Sequence, residues 1–144
     1  MGETYTISKY DDEKTFQNVI GINGLLAYNM QKTDGKLKIP DIELMLVALD
    51  KDREIVGGVK GSTFLSSIEV ETLLVKEELR GQSIASQLLS EIEKEAKQAG
   101  CQLSHLSTYS FQAPSFYQKQ GYAICGEIDG LPNGIKLFML KKSL

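Results

Sequence analysis

The chain is poor in the residues that build metal and redox centres. Its 144 residues include two cysteines and a single histidine. Cys101 and Cys125 lack metal-ligand spacing, and nothing spaced like a Cys-His pair accompanies Cys125, so neither a metal site nor a covalent cysteine route is supported. Reduced thiols in a cytoplasmic protein are the default reading, with Cys125 a small packed hydrophobe on a late strand. His105 sits mid-strand in Ser104-His105-Leu106-Ser107 and reads as a structural position rather than a catalyst. Positive charge is also short. Sixteen Lys and Arg against nineteen Asp and Glu leave a net charge of −3, which gives no electrostatic case for binding a nucleic-acid backbone. The Lys141-Lys142 pair reads as a solvated chain end.

Long apolar runs are missing too. No stretch reaches membrane-spanning length, and Met1-Gly2-Glu3-Thr4 has neither the basic-then-apolar layout of a signal peptide nor a myristoylation context. No internal repeat or low-complexity linker interrupts the chain. With 42% hydrophobic and 24% charged residues it belongs with soluble globular proteins, and its length predicts one domain over residues 1–144 with one core.

Periodicity predicts a first strand at Tyr5 to Tyr10, then one or two short helices interrupted at Gly21 and Gly24 and ending near Asp34-Gly35. Three strands follow in an antiparallel meander: Glu43 to Leu49, Ile55 to Phe64 and Leu65 to Val75, with a tight turn at Lys51-Asp52-Arg53. In the third, Ile68, Val70 and Leu74 fall on one face, yet Leu73 and Val75 are apolar on the other. Burial on both faces or a bulge would each produce that pattern. A helix runs to about Ala99 and stops at Gly100, a left-handed cap position. Leu103 to Thr108 is then a strand parallel to the preceding one, reached by a helical crossover. Ala113 to Gln120 is a short helix with Pro114 in its first turn. Tyr122 to Glu127 and Ile135 to Leu140 form a closing pair of strands.

Two segments carry chemistry. Leu79-Arg80-Gly81-Gln82-Ser83-Ile84-Ala85 lies between an apolar strand and a helix whose Ile84, Leu88, Ile92 and Ala96 share one face. The first turn of a helix has unpaired N–H groups and a partial positive charge, and a small-residue turn lets phosphate oxygens approach them. A cation such as Arg80 opposes the helix dipole there, which favours a phosphate partner. About thirty residues on comes Phe111-Gln112-Ala113-Pro114-Ser115-Phe116-Tyr117-Gln118-Lys119-Gln120-Gly121-Tyr122.

Together these segments resemble the GNAT family of N-acetyltransferases, which binds acetyl-CoA. The first is similar to the family's Arg/Gln-x-x-Gly-x-Gly/Ala pyrophosphate loop, the second to its Ala-x-x-Phe-Tyr-x-Lys-x-Gly-Phe/Tyr pattern. The resemblance spans roughly Ile55 to Lys142, with Ser83 in place of the family's second glycine. It implies the acyl-CoA N-acyltransferase fold: a three-layer α/β/α, α+β arrangement with one mixed, mostly antiparallel sheet of six to seven strands, a splayed central parallel pair and about four flanking helices. It further implies that acetyl-CoA is held by the backbone of Leu73, Leu74 and Val75, by Arg80, Gly81, Gln82, Ser83, Ile84, Ala85 and Ser86, and by Ala113, Phe116 and Tyr117. Tyr117 would act as general acid towards the leaving thiolate, suiting a phenol of pKa ~10. Glu69 corresponds to the base of histone-acetylating relatives. Glu71, two residues on, shares its strand face, and Glu69, Glu71 or water would serve as base. At Ser83 the side chain either obstructs the pyrophosphate or donates a hydroxyl to it.

The implied reaction is direct transfer of acetyl to a primary amine in a ternary complex, without metal. The acceptor would be a small molecule or a peptide, and homodimerisation stays open. The two glutamates suggest a cationic acceptor such as a polyamine, an aminoglycoside-like amine or a protein lysine. Its site would lie about Gly21 to Lys38 and Glu127 to Lys136. Two other readings compete: an acyl-CoA-binding module or sensor with little turnover, and a nucleotide-binding regulator. The latter is weakened because no Lys-Ser/Thr pair follows the loop.

Overall fold

The computed structural model describes residues 2–35 and 42–144. The chain divides into two compact units, Met1–Leu37 and Lys38–Leu144. In the first, the Asp12 carboxylate caps helix α1 (Glu13–Phe16), accepting from the backbone N–H of Thr15 at 3.1 Å and from its hydroxyl at 2.7 Å. The helical path then continues as a π-helix, Gln17–Leu26, and as α2, Ala27–Lys32. The interruptions expected at Gly21 and Gly24 are therefore a widening of one helix rather than breaks. A Cβ at Gly24 would lie 2.5 Å from the Val19 carbonyl oxygen, so this close approach requires glycine. The helix ends where expected, with Gly35 N–H donating to the Met30 carbonyl at 2.9 Å. The strand predicted at Tyr5 to Tyr10 does not form. Its Tyr5-Ile7 alternation mimics a strand, but the segment is exposed and takes part in no ladder with a described strand, and an unpaired strand has nothing to satisfy its backbone.

The second unit carries a six-stranded mixed sheet, ordered β1-β2-β3-β4-β6-β5. Strands β1 (Glu43–Leu49), β2 (Ile55–Phe64) and β3 (Ser67–Val75) form the expected meander. Helix α3 (Ile84–Gln98) buries Leu88, Leu89, Ile92 and Ala96 and ends before Gly100, whose φ is +100°. Strand β4 (Leu103–Tyr109), helix α4 (Pro114–Lys119), β5 (Ala123–Ile128) and β6 (Leu137–Ser143) complete it, with single 3₁₀ turns at Glu77–Leu79 and Pro132–Gly134. The core joins α3 to the sheet through Val59, Ile68, Val70, Leu106 and Leu140, among others. No described helix is long and apolar enough to cross a membrane.

Two irregularities interrupt the regular sheet. The register of β2 on β3 shifts between Lys60, which faces Thr72, and Gly61, which faces Val70, so Glu71 is the extra residue of a β-bulge. Gly61 permits the close approach, since a Cβ there would lie 2.8 Å from the Glu69 carbonyl oxygen. The bulge reverses the side-chain alternation. Ile68 and Val70 are buried before it and Leu73 and Val75 turn inward after it, while Leu74 is 63% exposed. Leu74 thus does not share a face with Ile68 and Val70. Second, β3 and β4 pair in parallel only from Ser67–Leu103 to Glu69–His105, whereas β4 pairs with β6 over its whole length. Beyond Glu69 the two central strands part.

Candidate acyl-transfer cleft

The parting of β3 and β4 opens a cleft of about 910 Å³. One wall is β3 from Val70 to Val75, whose ladder to β2 leaves its other edge without a paired strand beyond Glu69. The opposite wall is Ser107 and Thr108 of β4 with the turn and helix beyond them. The loop into α3 closes one end. Gly81 and Ser83 both adopt the left-handed conformation there, at φ +84° and +64°, which turns the chain sharply into the first helical residue, Ile84. Serine therefore adopts the positive φ of the position it occupies. Its hydroxyl makes no cap to the helix, and its carbonyl accepts from the Ser86 hydroxyl at 2.9 Å. Arg80 folds back so that its Nε donates to the Val75 carbonyl at 3.3 Å, tying the loop to the end of β3.

The cleft collects most of the residues singled out in the sequence: Glu71, Leu73, Leu74, Val75, Arg80, Gly81, Ser83, Ile84, Ala85, Ser86, Ala113, Phe116 and Tyr117. Two stand apart. Gln82 is exposed on the loop without lining the cleft, and Glu69 is exposed at the last paired position, opposite Ser62 and His105. His105 lies outside the lining as well. Cys125 is exposed rather than packed, its thiol donating to the Met139 carbonyl at 3.4 Å, because β5 is the edge strand.

Several participants were not singled out in the sequence. Ser107 and Thr108 line the cleft because β4 has left β3 by that point. Gln112 is held by its Oε1, which accepts from Thr108 Oγ1 at 3.1 Å and Tyr109 N–H at 2.8 Å. Around Glu71, the Ser62 hydroxyl donates to Oε1 at 2.7 Å, and Lys60 Nζ stands 3.8 Å from Oε2 and 3.7 Å from Glu43. The hydrophobic pattern of β2 alone carries no sign of these cross-strand partners. Among the described residues no cluster of three His, Cys, Asp or Glu side chains could hold a metal ion.

Tyr117 is half-buried, with its ring edge-on to Phe116 at 5.1 Å and to Tyr122 at 5.9 Å. Burial pushes its phenol above the ordinary value of 10.0, so the hydroxyl keeps its proton at neutral pH. Tyr122 lies deeper. Its hydroxyl donates to Glu93 Oε2 at 2.7 Å and is 2.7 Å from Ser104 Oγ, while Glu93 Oε1 pairs with Lys142 Nζ at 2.7 Å. Burial first, and then the Glu93 carboxylate, raise the Tyr122 phenol strongly. A phenol raised in the fold contributes stability that is complete below its unfolded value near 10 and is lost as pH climbs beyond it, because the unfolded chain then releases a proton that the fold retains. The melting temperature should therefore fall more steeply above about pH 10 for this protein than for a Tyr122→Phe variant. Parallel slopes in calorimetry from pH 8 to 11.5 would contradict this.

With this geometry, the relatives fall into place. An acetyltransferase (GNAT) domain is matched over residues 41–124. The chain is 30% identical over 118 residues to an acetyltransferase of Agrobacterium fabrum, covering 82% of this chain and 84% of that protein. It is 36% identical over 92 residues to blasticidin-S acetyltransferase of Streptomyces morookaense, covering 63% and 68%. A crystal structure of an acetyltransferase from Bacillus cereus superposes with a TM-score of 0.84 at 32% identity, covering 97% of this chain and 98% of that one. The chain belongs to the GNAT acetyltransferase family and has its acyl-CoA N-acyltransferase fold. It is an acetyl-CoA-dependent N-acetyltransferase.

Proposed function

We propose that this enzyme transfers acetyl from acetyl-CoA directly to the primary amine of a small molecule, both substrates being bound together in the cleft. One observation carries the reading: a single cleft unites a left-handed loop at a helix start, a cation, an open strand edge and a protonated phenol. The N–H groups of Gly81 and of Ser83 to Ser86, with the Arg80 guanidinium, suit a pyrophosphate. The backbone edge of Leu73 to Val75 that β4 leaves unpaired suits the amide-bearing pantetheine arm as an added strand. Acetyl-CoA supplies the activated thioester. The amine lone pair forms the new C–N bond as the C–S bond breaks with its electron pair moving to sulfur, to which the Tyr117 hydroxyl donates its proton. The amine proton passes to Glu71 or to water. Glu71 is favoured over Glu69 because it lines the cleft at the bulge. Alignment of the two substrates supplies most of the acceleration.

The small-molecule acceptor is supported by the relative that acts on blasticidin S. The alignment over 97% of the chain to the Bacillus cereus acetyltransferase supports reading residues 1–144 as one domain. The loop between Glu127 and Lys136, whose side chains pair at 2.6 Å, stays a candidate for acceptor recognition. The segment from Gly21 to Leu37 belongs to the other unit, and its portion beyond Gly35 lies outside the described residues.

Following free thiol while acetyl-CoA is mixed with a panel of small amines tests the reaction. Thiol release matched by acetylated amine, with intersecting initial-velocity lines, is expected. Tight CoA binding without turnover on any amine would favour the sensor alternative, and parallel lines would exclude the ternary complex.

Ser83→Gly tests the loop. Because serine already holds the left-handed backbone, glycine has no geometry to restore and removes a hydroxyl that lines the cleft. The dissociation constant of CoA should rise about 2- to 10-fold, the worth of one hydrogen bond. A lower constant by calorimetric titration would make Ser83 an obstruction.

A further inference from the structure

We propose that Tyr122 is a positioning residue for the reaction, anchored by Glu93, Lys142 and Ser104 so that its ring holds the Tyr117 phenol in place. The proposal rests on Tyr117 as the group that donates to the departing sulfur.

Tyr117 stands on a helix of only six residues, none of them fully buried. Such a short element is poorly held by its own hydrogen bonds. Its fixed neighbour is Tyr122, which comes just after the helix, is 3% exposed, and donates its backbone N–H to the Tyr117 carbonyl at 3.0 Å. The Tyr122 ring meets that of Tyr117 edge-to-face at 5.9 Å and an interplanar angle of 76°.

The hydroxyl of Tyr122 is then fastened to two other elements. Ser104 of β4 and Glu93 of α3 each lie 2.7 Å from it, and since the hydroxyl donates to the carboxylate, the serine donates to the hydroxyl. Lys142 of β6 binds the remaining Glu93 oxygen at 2.7 Å and lies 5.6 Å over the Tyr122 ring. Burying the Glu93 carboxylate beside an apolar core is costly, and a phenylalanine among aliphatic residues would fill the same space. What the polar arrangement adds is direction. Apolar packing tolerates small slides and rotations, whereas three linked hydrogen bonds fix the ring at one height and one tilt.

The test is a double-mutant cycle on kcat, measured at saturating acetyl-CoA and acceptor, with CoA affinity measured separately. Tyr122→Phe keeps the ring and cuts its anchor. It should lower kcat about tenfold, leave the KM for acetyl-CoA within about twofold, and cause no further loss when added to Tyr117→Phe, because coupled residues are not additive. Ser104→Ala, which removes one of the two contacts to the same hydroxyl, is read in the same way should Tyr122→Phe not fold. Full turnover in Tyr117→Phe would bring down the donor reading and this proposal with it. Slow turnover in Tyr117→Phe together with normal turnover in Tyr122→Phe, or with additive losses, would overturn the positioning role alone.

Discussion

Replacing Tyr117 with phenylalanine is expected to lower kcat by about 10²–10³-fold while the fold and CoA affinity persist, which is the usual worth of a positioned proton donor. The substitution deletes only the hydroxyl. The edge-to-face contacts with Phe116 and Tyr122 survive, so the melting temperature should change little. Burial raises the phenol, so its ionisation can limit the rate only above pH 10, where wild-type kcat should fall. In the variant this alkaline limb should vanish, and any acidic limb set by loss of the amine proton should stay. A Tyr117→Phe enzyme with full turnover and an unaltered profile would leave the tyrosine as packing.

The second large effect belongs to Arg80. Changing it to alanine removes a cation from the helix start and frees the Val75 carbonyl that its Nε now binds. A hydrogen bond to a charged group contributes about 1.5–3 kcal/mol, so the dissociation constant of CoA should rise by roughly 10- to 100-fold. Arg80 is exposed, so the unliganded protein should melt within a few degrees of wild type. The loss should shrink as salt rises, because added ions screen the charge in both proteins. Unchanged affinity in low salt would place the pyrophosphate elsewhere.

The elements that the sequence predicts well are those whose pattern is local. The four-residue spacing of Leu88, Ile92 and Ala96 defines one face of α3 whatever packs against it, and Gly100 marks its end. The meander from Glu43 to Val75 arises from apolar runs and turn residues, so β1 and β2 have the predicted bounds. The sharp turn of Gly81 to Ser83 into α3 is local as well, since small residues directly before an amphipathic helix produce it. Tyr5 to Tyr10 misleads because alternation describes a side-chain pattern and not the existence of a partner strand.

The cleft's chemistry is less legible. Glu69 and Glu71 are equivalent by alternation, and only the bulge in the β2–β3 pairing separates them, leaving one at the closed end of the parallel pair and one in the cleft. Lys60, Ser62, Glu93 and Lys142 carry no local signal, because their significance comes from carboxylates and hydroxyls many residues away. By itself, then, the sequence determined the helix faces, the strand order of the meander, the phosphate-suited turn and the family, since each is written in neighbouring residues. Only the tertiary structure decided where β3 leaves β4, which glutamate lines the gap and what braces Tyr117. Those are properties of register and of contacts between distant elements, and a one-residue slip in pairing changes them without altering any local pattern.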